Sequence, residues 1–115
     1  MYKIINPDTK VIIAEHAEFA DNFFSRMKGL LFRDSLDAST ALIIKPASSL
    51  HTFFMRFSID IIFLDSQNRI LKLSSNVTPF KFVLSAFGAK CAVELPAGTI
   101  EKFSLSIGGQ LSIIK

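Results

Sequence analysis

The densest apolar pattern in the chain runs from His51 to Asp65, with the sequence HTFFMRFSIDIIFLD. Seven of the residues from Phe53 to Leu64 are Phe or Ile, whose aromatic or branched side chains favour strands. From Ile59 onward the apolar residues occupy both alternating faces, which is typical of a strand covered on both sides. A buried helix is the alternative, but the segment lacks a stripe of helical period. We therefore expect a central, doubly covered strand here.

Asp60 places a carboxylate in the middle of this strand. An unpartnered carboxylate in such a place costs several kcal/mol, so we expect hydrogen bonds, an ion pair or a position at a pocket mouth. Arg56 would share its face if the strand ran unbroken, and His51 and Thr52 stand at the strand's entrance. Two interpretations stay open: Asp60 ties its strand to a neighbouring loop, or it belongs to a ligand or partner site.

Elsewhere the pattern predicts short strands separated by turn residues. A hairpin opens the chain, because residues 6–9 are Asn-Pro-Asp-Thr, and a second hairpin turns at residues 65–68. Asp21 or Asn22 is a possible cap for a short helix ending before Gly29, which leaves residues 15–19 extended. A second helix is predicted over residues 100–105, with Thr99 as its cap. The strands are predicted at residues 2–5, 10–14, 41–44, 59–64, 69–73, 90–95 and 110–114.

About seven short strands and one or two short helices result, without a βαβ alternation, a repeat or a linker. At 115 residues the chain has the length of one domain, residues 1–115, with room for a real core. The predicted fold class is α+β, mainly antiparallel β, in a small barrel or sandwich.

Composition narrows the classes of function. The formal charge is a mild +3 and no run of Lys or Arg forms a stripe, so we expect no nucleic-acid binding. Phe80, Lys81 and Phe82 alternate as in single-strand binders, but with this charge we expect these rings in the core and its rim. Cys91 is the only cysteine, so no internal disulfide forms. The chain shows no signal peptide and no membrane-spanning run, which predicts a cytoplasmic protein without membrane insertion.

The usual catalytic signatures are absent from the sequence. It contains no P-loop, GxGxxG, GxSxG, HExxH or CxxC motif. His16, His51, Cys91 and the carboxylates match no metal-site spacing, so we expect neither a metal nor a cofactor. Whether the chain is an enzyme stays open, because many active sites leave no local motif.

Three segments together carry a resemblance: RMKGLLFR at residues 26–33, the central stretch at 51–65, and VELPAG at 93–98. In order and spacing they resemble the domain of unknown function 192 family of small bacterial and archaeal proteins, over roughly residues 10 to 114. The resemblance implies a compact, mostly β domain, and the family has no established activity to transfer. Many of its members look exported. Ser58 stands where the family usually has proline, and Gly109 replaces a common aspartate.

If the three segments converge, cations and carboxylates meet beside phenylalanine rings. Arg holds carboxylates and phosphates bidentately, so such a place suits an unknown small anionic ligand or a protein partner. We predict a non-catalytic binding or accessory module. The alternatives are a structural salt-bridge network and an enzyme using His51 with Asp60 or Glu94 as acid and base. The candidate binding residues are Arg26, Arg33, His51, Thr52, Arg56, Asp60 and Glu94.

Overall fold

The computed structural model describes residues 1–20, 35–47, 49–53 and 55–115. These residues form nine strands and one short helix, which confirms the predicted α+β class with mainly β structure. The strands are β1 (Tyr2–Ile5), β2 (Ile12–Ala20), β3 (Thr40–Ile44), β4 (Leu50–His51), β5 (Ile59–Leu64), β6 (Ile70–Val77), β7 (Phe82–Val83), β8 (Cys91–Pro96) and β9 (Ser112–Ile114), and the helix is α1 (Thr99–Lys102).

Seven strands form one curled sheet in the order β6-β5-β8-β3-β2-β1-β9. The curl brings the two ends of this order together at a bridge between Arg69 and Gln110. Next to the bridge, the Ile70 N–H donates to the Gly109 carbonyl at 2.9 Å, and the Gly108 N–H donates to the Ile70 carbonyl at 2.8 Å. The sheet is therefore a small barrel that closes at the start of β6.

The pairing of β2 with β3 departs from the antiparallel expectation. These two strands run parallel, with Ala17 in register with Ala41, whereas every other neighbouring pair in the sheet is antiparallel. Parallel neighbours need a crossover of a dozen or more residues, and the connection over residues 21–39 has that length. The predicted short helix falls within this connection and lies outside the described residues.

β5 is the central strand that the apolar pattern predicts, and all six of its residues are buried. Ile62 and Leu64 join an inner cluster that fills the barrel, whereas Ile59, Ile61 and Phe63 join an outer cluster on the opposite face of the sheet. Burying four such side chains contributes at most about 6–12 kcal/mol to folding. A strand covered on both faces explains the nearly continuous apolar sequence.

The outer cluster is covered by a second, two-stranded sheet made of β4 and β7. Leu50 pairs with Val83, and both side chains are buried in the outer cluster. His51 pairs with Phe82. Because successive side chains in a strand point to opposite faces, His51 and Phe82 project away from the cluster.

Helix α1 differs from its prediction at both ends. It spans Thr99 to Lys102, and the residue at its N-cap is Gly98, in left-handed backbone at φ 95°. The Thr99 hydroxyl does not cap the helix but donates to the Pro96 carbonyl at 2.6 Å. The expectation that residues 15–19 are extended is confirmed, because these residues lie within strand β2.

Within the described ranges, no helix combines the length and apolarity that crossing a bilayer requires.

Candidate functional site

Asp60 is buried, at 1% exposed, and its carboxylate accepts hydrogen bonds from two backbone amides. Oδ1 accepts the Asn76 N–H at 2.8 Å, and Oδ2 accepts the Ile100 N–H at 2.8 Å. Asn76 lies at a β-bulge: between the pairs Ile59–Val77 and Ile61–Ser74, β6 carries one residue more than β5.

Each of these donors would otherwise lack a partner. A bulge leaves an N–H outside the ladder, and the first turn of a helix leaves N–H groups without intrahelical acceptors. Asp60 therefore ties β5 to β6 and caps α1 from a strand forty residues away in sequence. A cavity of about 330 Å³ opens beside it, lined by Asp60, Ser75, Asn76, Ala97, Gly98 and Glu101.

Glu94 is fully buried, at 0% exposed, but it projects from the other face of the sheet. It is in register with Ile61 on β5 and with Leu42 on β3, and both of these belong to the outer side. Asp60 is in register with Leu95, which belongs to the inner cluster. The two carboxylates therefore do not share one site.

Thr52 is fully buried and acts as a hub for the loop that precedes β7. Its N–H donates to the Lys81 carbonyl at 2.9 Å, and its carbonyl accepts the N–H groups of Phe80 at 3.1 Å and Met55 at 3.2 Å. Its hydroxyl donates to the Thr78 carbonyl at 2.6 Å and accepts the Lys81 N–H at 3.0 Å. Thr52 is therefore a positioning residue that a ligand cannot reach directly.

The rings on either side of this hub stack on each other. His51 lies 4.8 Å from Phe53, and Phe53 lies 6.3 Å from Phe80, measured between ring centroids, with interplanar angles of 28° in both pairs. The Phe53 N–H donates to His51 Nδ1 at 3.3 Å, which assigns the ring hydrogen of a neutral imidazole to Nε2. The hydrogen bond fixes the orientation of the imidazole.

Phe80 is held in an unfavourable backbone conformation. Its φ is 64°, in the left-handed region, where a bulky residue is an outlier and costs roughly 1–2 kcal/mol. Phe80 is nevertheless 65% exposed, and Phe82 is 60% exposed. The expectation that both rings lie in the core or its rim is therefore wrong, because the two-residue strand β7 buries only Val83. We call His51, Phe53, Phe80 and Phe82 the aromatic face.

The chain around the aromatic face carries positive charge. Arg56 and Lys81 belong to the two segments that form it, and both are exposed. No Asp or Glu occurs at residues 38–59 or 66–93, whereas these stretches contain six Lys or Arg residues. The charge of the segments that carry the aromatic face therefore favours an anionic ligand.

The structure brings some of the sequence-derived site residues together and separates others. His51, Thr52 and Arg56 share one segment on the outer side of the sheet, where Glu94 also projects, and Asp60 lies on the inner side. Arg26 and Arg33 lie outside the described residues. Phe80 and Phe82 were missed as site residues, although their alternation with Lys81 was the signal that could have identified them.

The Cys91 thiol is buried within the core. Burial raises the pKa of the Cys91 thiol above its ordinary value of 9.0, against the opposing effect of the Lys45 charge. In the part of the chain that the structure describes, no group of three or more His, Cys, Asp or Glu side chains is placed to hold a metal ion.

Comparisons with known proteins cover most of the chain. The family model of the domain of unknown function 192, described as an uncharacterized ACR, matches residues 4–113. A UPF0127 protein of Pyrococcus furiosus is 38% identical over 96 residues, covering 81% of this chain and 82% of the relative. Another UPF0127 protein, from Thermococcus sibiricus, is 31% identical over 112 residues, covering 94% of this chain and 72% of the relative.

Two crystal structures share the fold at low sequence identity. A proposed transcription regulator from Sinorhizobium meliloti has a TM-score of 0.78 at 19% identity, covering 97% of this chain and 91% of that one. A protein of unknown function from Novosphingobium aromaticivorans has a TM-score of 0.75 at 18% identity, covering 96% and 82%. With a family model that matches nearly every residue, the chain belongs to the domain of unknown function 192 family.

Proposed function

We propose that the chain is a non-catalytic binding module whose ligand contacts the aromatic face and the cations beside it. The observation that carries this proposal is Phe80, a largely exposed ring on a left-handed backbone. Such a conformation persists only where the surrounding structure imposes it, and it is common at ligand-binding sites.

Thr52 supplies that constraint. Its carbonyl accepts the Phe80 N–H, and its hydroxyl and N–H bond the backbone of Lys81. The energy of these buried hydrogen bonds offsets the local strain, and the result is a ring in solvent, where it adds little to the core. A binding role explains better than packing why the chain keeps a strained residue whose ring adds little to folding stability.

The cations determine the charge of the ligand in this proposal. Lys81 and Arg56 are exposed and belong to the two segments that form the face, in stretches of sequence without carboxylates. The Lys81 ammonium can pair with a carboxylate or phosphate, while rings cover an apolar group of the same ligand. The proposed ligand is therefore anionic with an apolar part.

The geometry gives less support to an enzyme that uses His51 with Asp60. The Asp60 carboxylate bonds α1 and β6 on the inner side of β5, whereas His51 lies on the outer surface of the β4–β7 sheet. An acid–base pair needs hydrogen-bond reach between its members, and the sheet stands between these two.

A chemical-shift titration of ¹⁵N-labelled protein with phenyl phosphate tests the proposal. We expect the largest shifts at residues 51–53 and 80–82, weaker binding at high salt, and loss of the shifts in Phe80→Ala. The matched control is Ile107→Ser, since Ile107 is 70% exposed but follows α1 near the opposite end of β5. Shifts confined to the cavity beside Asp60, or none at all, would contradict the proposal.

A further inference from the structure

We infer that the partner at the aromatic face is a short acidic peptide segment of another protein, anchored by a large apolar side chain. This inference rests on the proposed function and names the class of partner. Three features support it: the exposed area of the face, its charge and the arrangement of its rings.

The area suits a short segment rather than a folded domain. Phe53, Phe80 and Phe82 are 37%, 65% and 60% exposed. At about 150–250 Å² for a whole aromatic side chain, the three rings present roughly 300 Å² of apolar surface. A stable interface between folded proteins needs about 800 Å² from each partner. The face therefore has the size of an anchor site for one or two apolar side chains.

The charge favours a partner with Asp or Glu residues. Lys81 lies between Phe80 and Phe82 in the sequence, and Arg56 lies three residues after Phe53. Complementary charges steer association, and like charges across an interface cost several kcal/mol. An acidic segment is attracted here, whereas a basic segment is repelled.

The ring arrangement favours peptide side chains over nucleic-acid bases. Proteins that bind single strands offer separate ring faces on which successive bases stack. Here His51 stacks on Phe53 at 4.8 Å and Phe53 stacks on Phe80 at 6.3 Å, so these three rings form one cluster and not a series of separate platforms. Apolar side chains pack against ring edges as well as faces, and exposed aromatic residues are enriched at protein-binding interfaces.

Fluorescence anisotropy with a labelled glutamate-rich peptide that contains a central Phe-Leu pair tests the inference. Two peptides serve as comparisons, one with lysine in place of glutamate and one with serine in place of the Phe-Leu pair. We expect the first peptide to bind at least about tenfold more tightly than either comparison, as for the loss of one hot-spot contact.

Variants of the protein locate the binding. Phe82→Ala should weaken the glutamate-rich peptide roughly tenfold, and Lys81→Gln should reduce both the affinity and its salt dependence. Ile107→Ser, at an equally exposed apolar residue far from the face, should leave the affinity unchanged. Equal affinity for the glutamate and lysine peptides overturns the inference.

The other possible occupants are separate outcomes. Tighter binding of oligothymidylate or of phosphatidylglycerol vesicles at the aromatic face overturns the peptide assignment, as does self-association that Phe82→Ser abolishes. With oligothymidylate or vesicles the face still binds an anionic ligand and the proposed function stands, whereas self-association through the face also overturns the anionic ligand. If phenyl phosphate also fails to perturb residues 51–53 and 80–82, the proposed function fails with it.

Discussion

Asp60 and Glu94 lie on adjacent strands one register position apart, and they project from opposite faces of the same sheet. Asp60 faces the inner cluster, where two backbone amides bind it, and Glu94 faces the outer side. The two carboxylates occur in neighbouring family-like segments of the sequence, but the sheet separates them in the structure. Asp60 contributes to the architecture, and the surface proposed for binding lies on the other side.

Replacing Asp60 by Ala should strongly destabilise the fold. The substitution leaves the partly buried N–H of Asn76 and the buried N–H of Ile100 without acceptors, and hydrogen bonds to a charged group contribute about 1.5–3 kcal/mol each. We expect the free energy of unfolding in urea to fall by roughly 3–5 kcal/mol. Asp60→Asn should cost less, because its amide keeps one acceptor oxygen.

The control for Asp60 is Glu101→Gln, which removes an exposed charge from the same cavity without touching either hydrogen bond. Its free energy of unfolding should stay within about 0.5 kcal/mol of the wild type, as for ordinary surface substitutions. Equal stability of the Asp60→Ala and Glu101→Gln variants would show that Asp60 does not anchor α1.

Replacing Thr52 by Val tests the hub below the aromatic face. The variant keeps the shape but loses the hydroxyl that bonds Thr78 and Lys81, at a cost of about 1–3 kcal/mol. The Lys81 amide should exchange with solvent faster than in the wild type. Thr52→Ser keeps the hydroxyl, so unchanged Lys81 exchange is expected there, and slow exchange in the Val variant would contradict the hub.

Glycine and alanine at Phe80 separate the backbone strain from the ring. Both variants lose the ring, but glycine adopts φ 64° without the penalty of a Cβ, so Phe80→Gly should be roughly 1 kcal/mol more stable than Phe80→Ala. At Phe82, in strand β7, the order should reverse, because glycine weakens a strand by about 0.5–1 kcal/mol relative to alanine. Alanine more stable than glycine at both positions would mean that Phe80 carries no strain.

Acid titration tests the turn after β5. The Arg69 N–H, with help from the Gln67 N–H and the Arg69 charge, lowers the pKa of Asp65 below its ordinary 3.8. A carboxyl whose pKa is lower in the folded state stabilises the fold above the unfolded pKa and loses that effect as the pH falls through the folded one. The stability difference between wild type and Asp65→Asn should therefore shrink below pH 3.8. A difference that does not vary with pH would contradict the turn geometry.

Local patterns in the sequence predict those parts of the fold that depend on local physics. The continuous apolar run of β5 and the hairpin turn at residues 65–68 need only neighbouring residues to specify them, and both are present. The cap of α1 depends on Asp60, forty residues upstream, and no local pattern contains that information. Thr99, the local candidate for the cap, bonds Pro96 instead.

The candidate site was only partly predictable for a similar reason. His51, Thr52 and Arg56 were identified because they lie beside the apolar strand in sequence. Phe80 and Phe82 belong to the face only because β7 pairs with β4, a contact of two residues that the sequence does not specify. Hydrophobic residues are expected in cores, so their exposure becomes visible only in three dimensions.

In the proposed function, the aromatic face binds the ligand, whereas Asp60 has a structural role. The most direct test compares the affinity of one glutamate-rich peptide for Phe82→Ser and Asp60→Asn, at a temperature where both are folded. We predict that Phe82→Ser weakens the peptide about tenfold or more, while Asp60→Asn stays within about twofold of the wild type. If the Asp60 variant does not fold, Glu101→Gln takes its place in the same cavity. Loss of binding in the cavity variant, with binding retained in Phe82→Ser, would contradict the account.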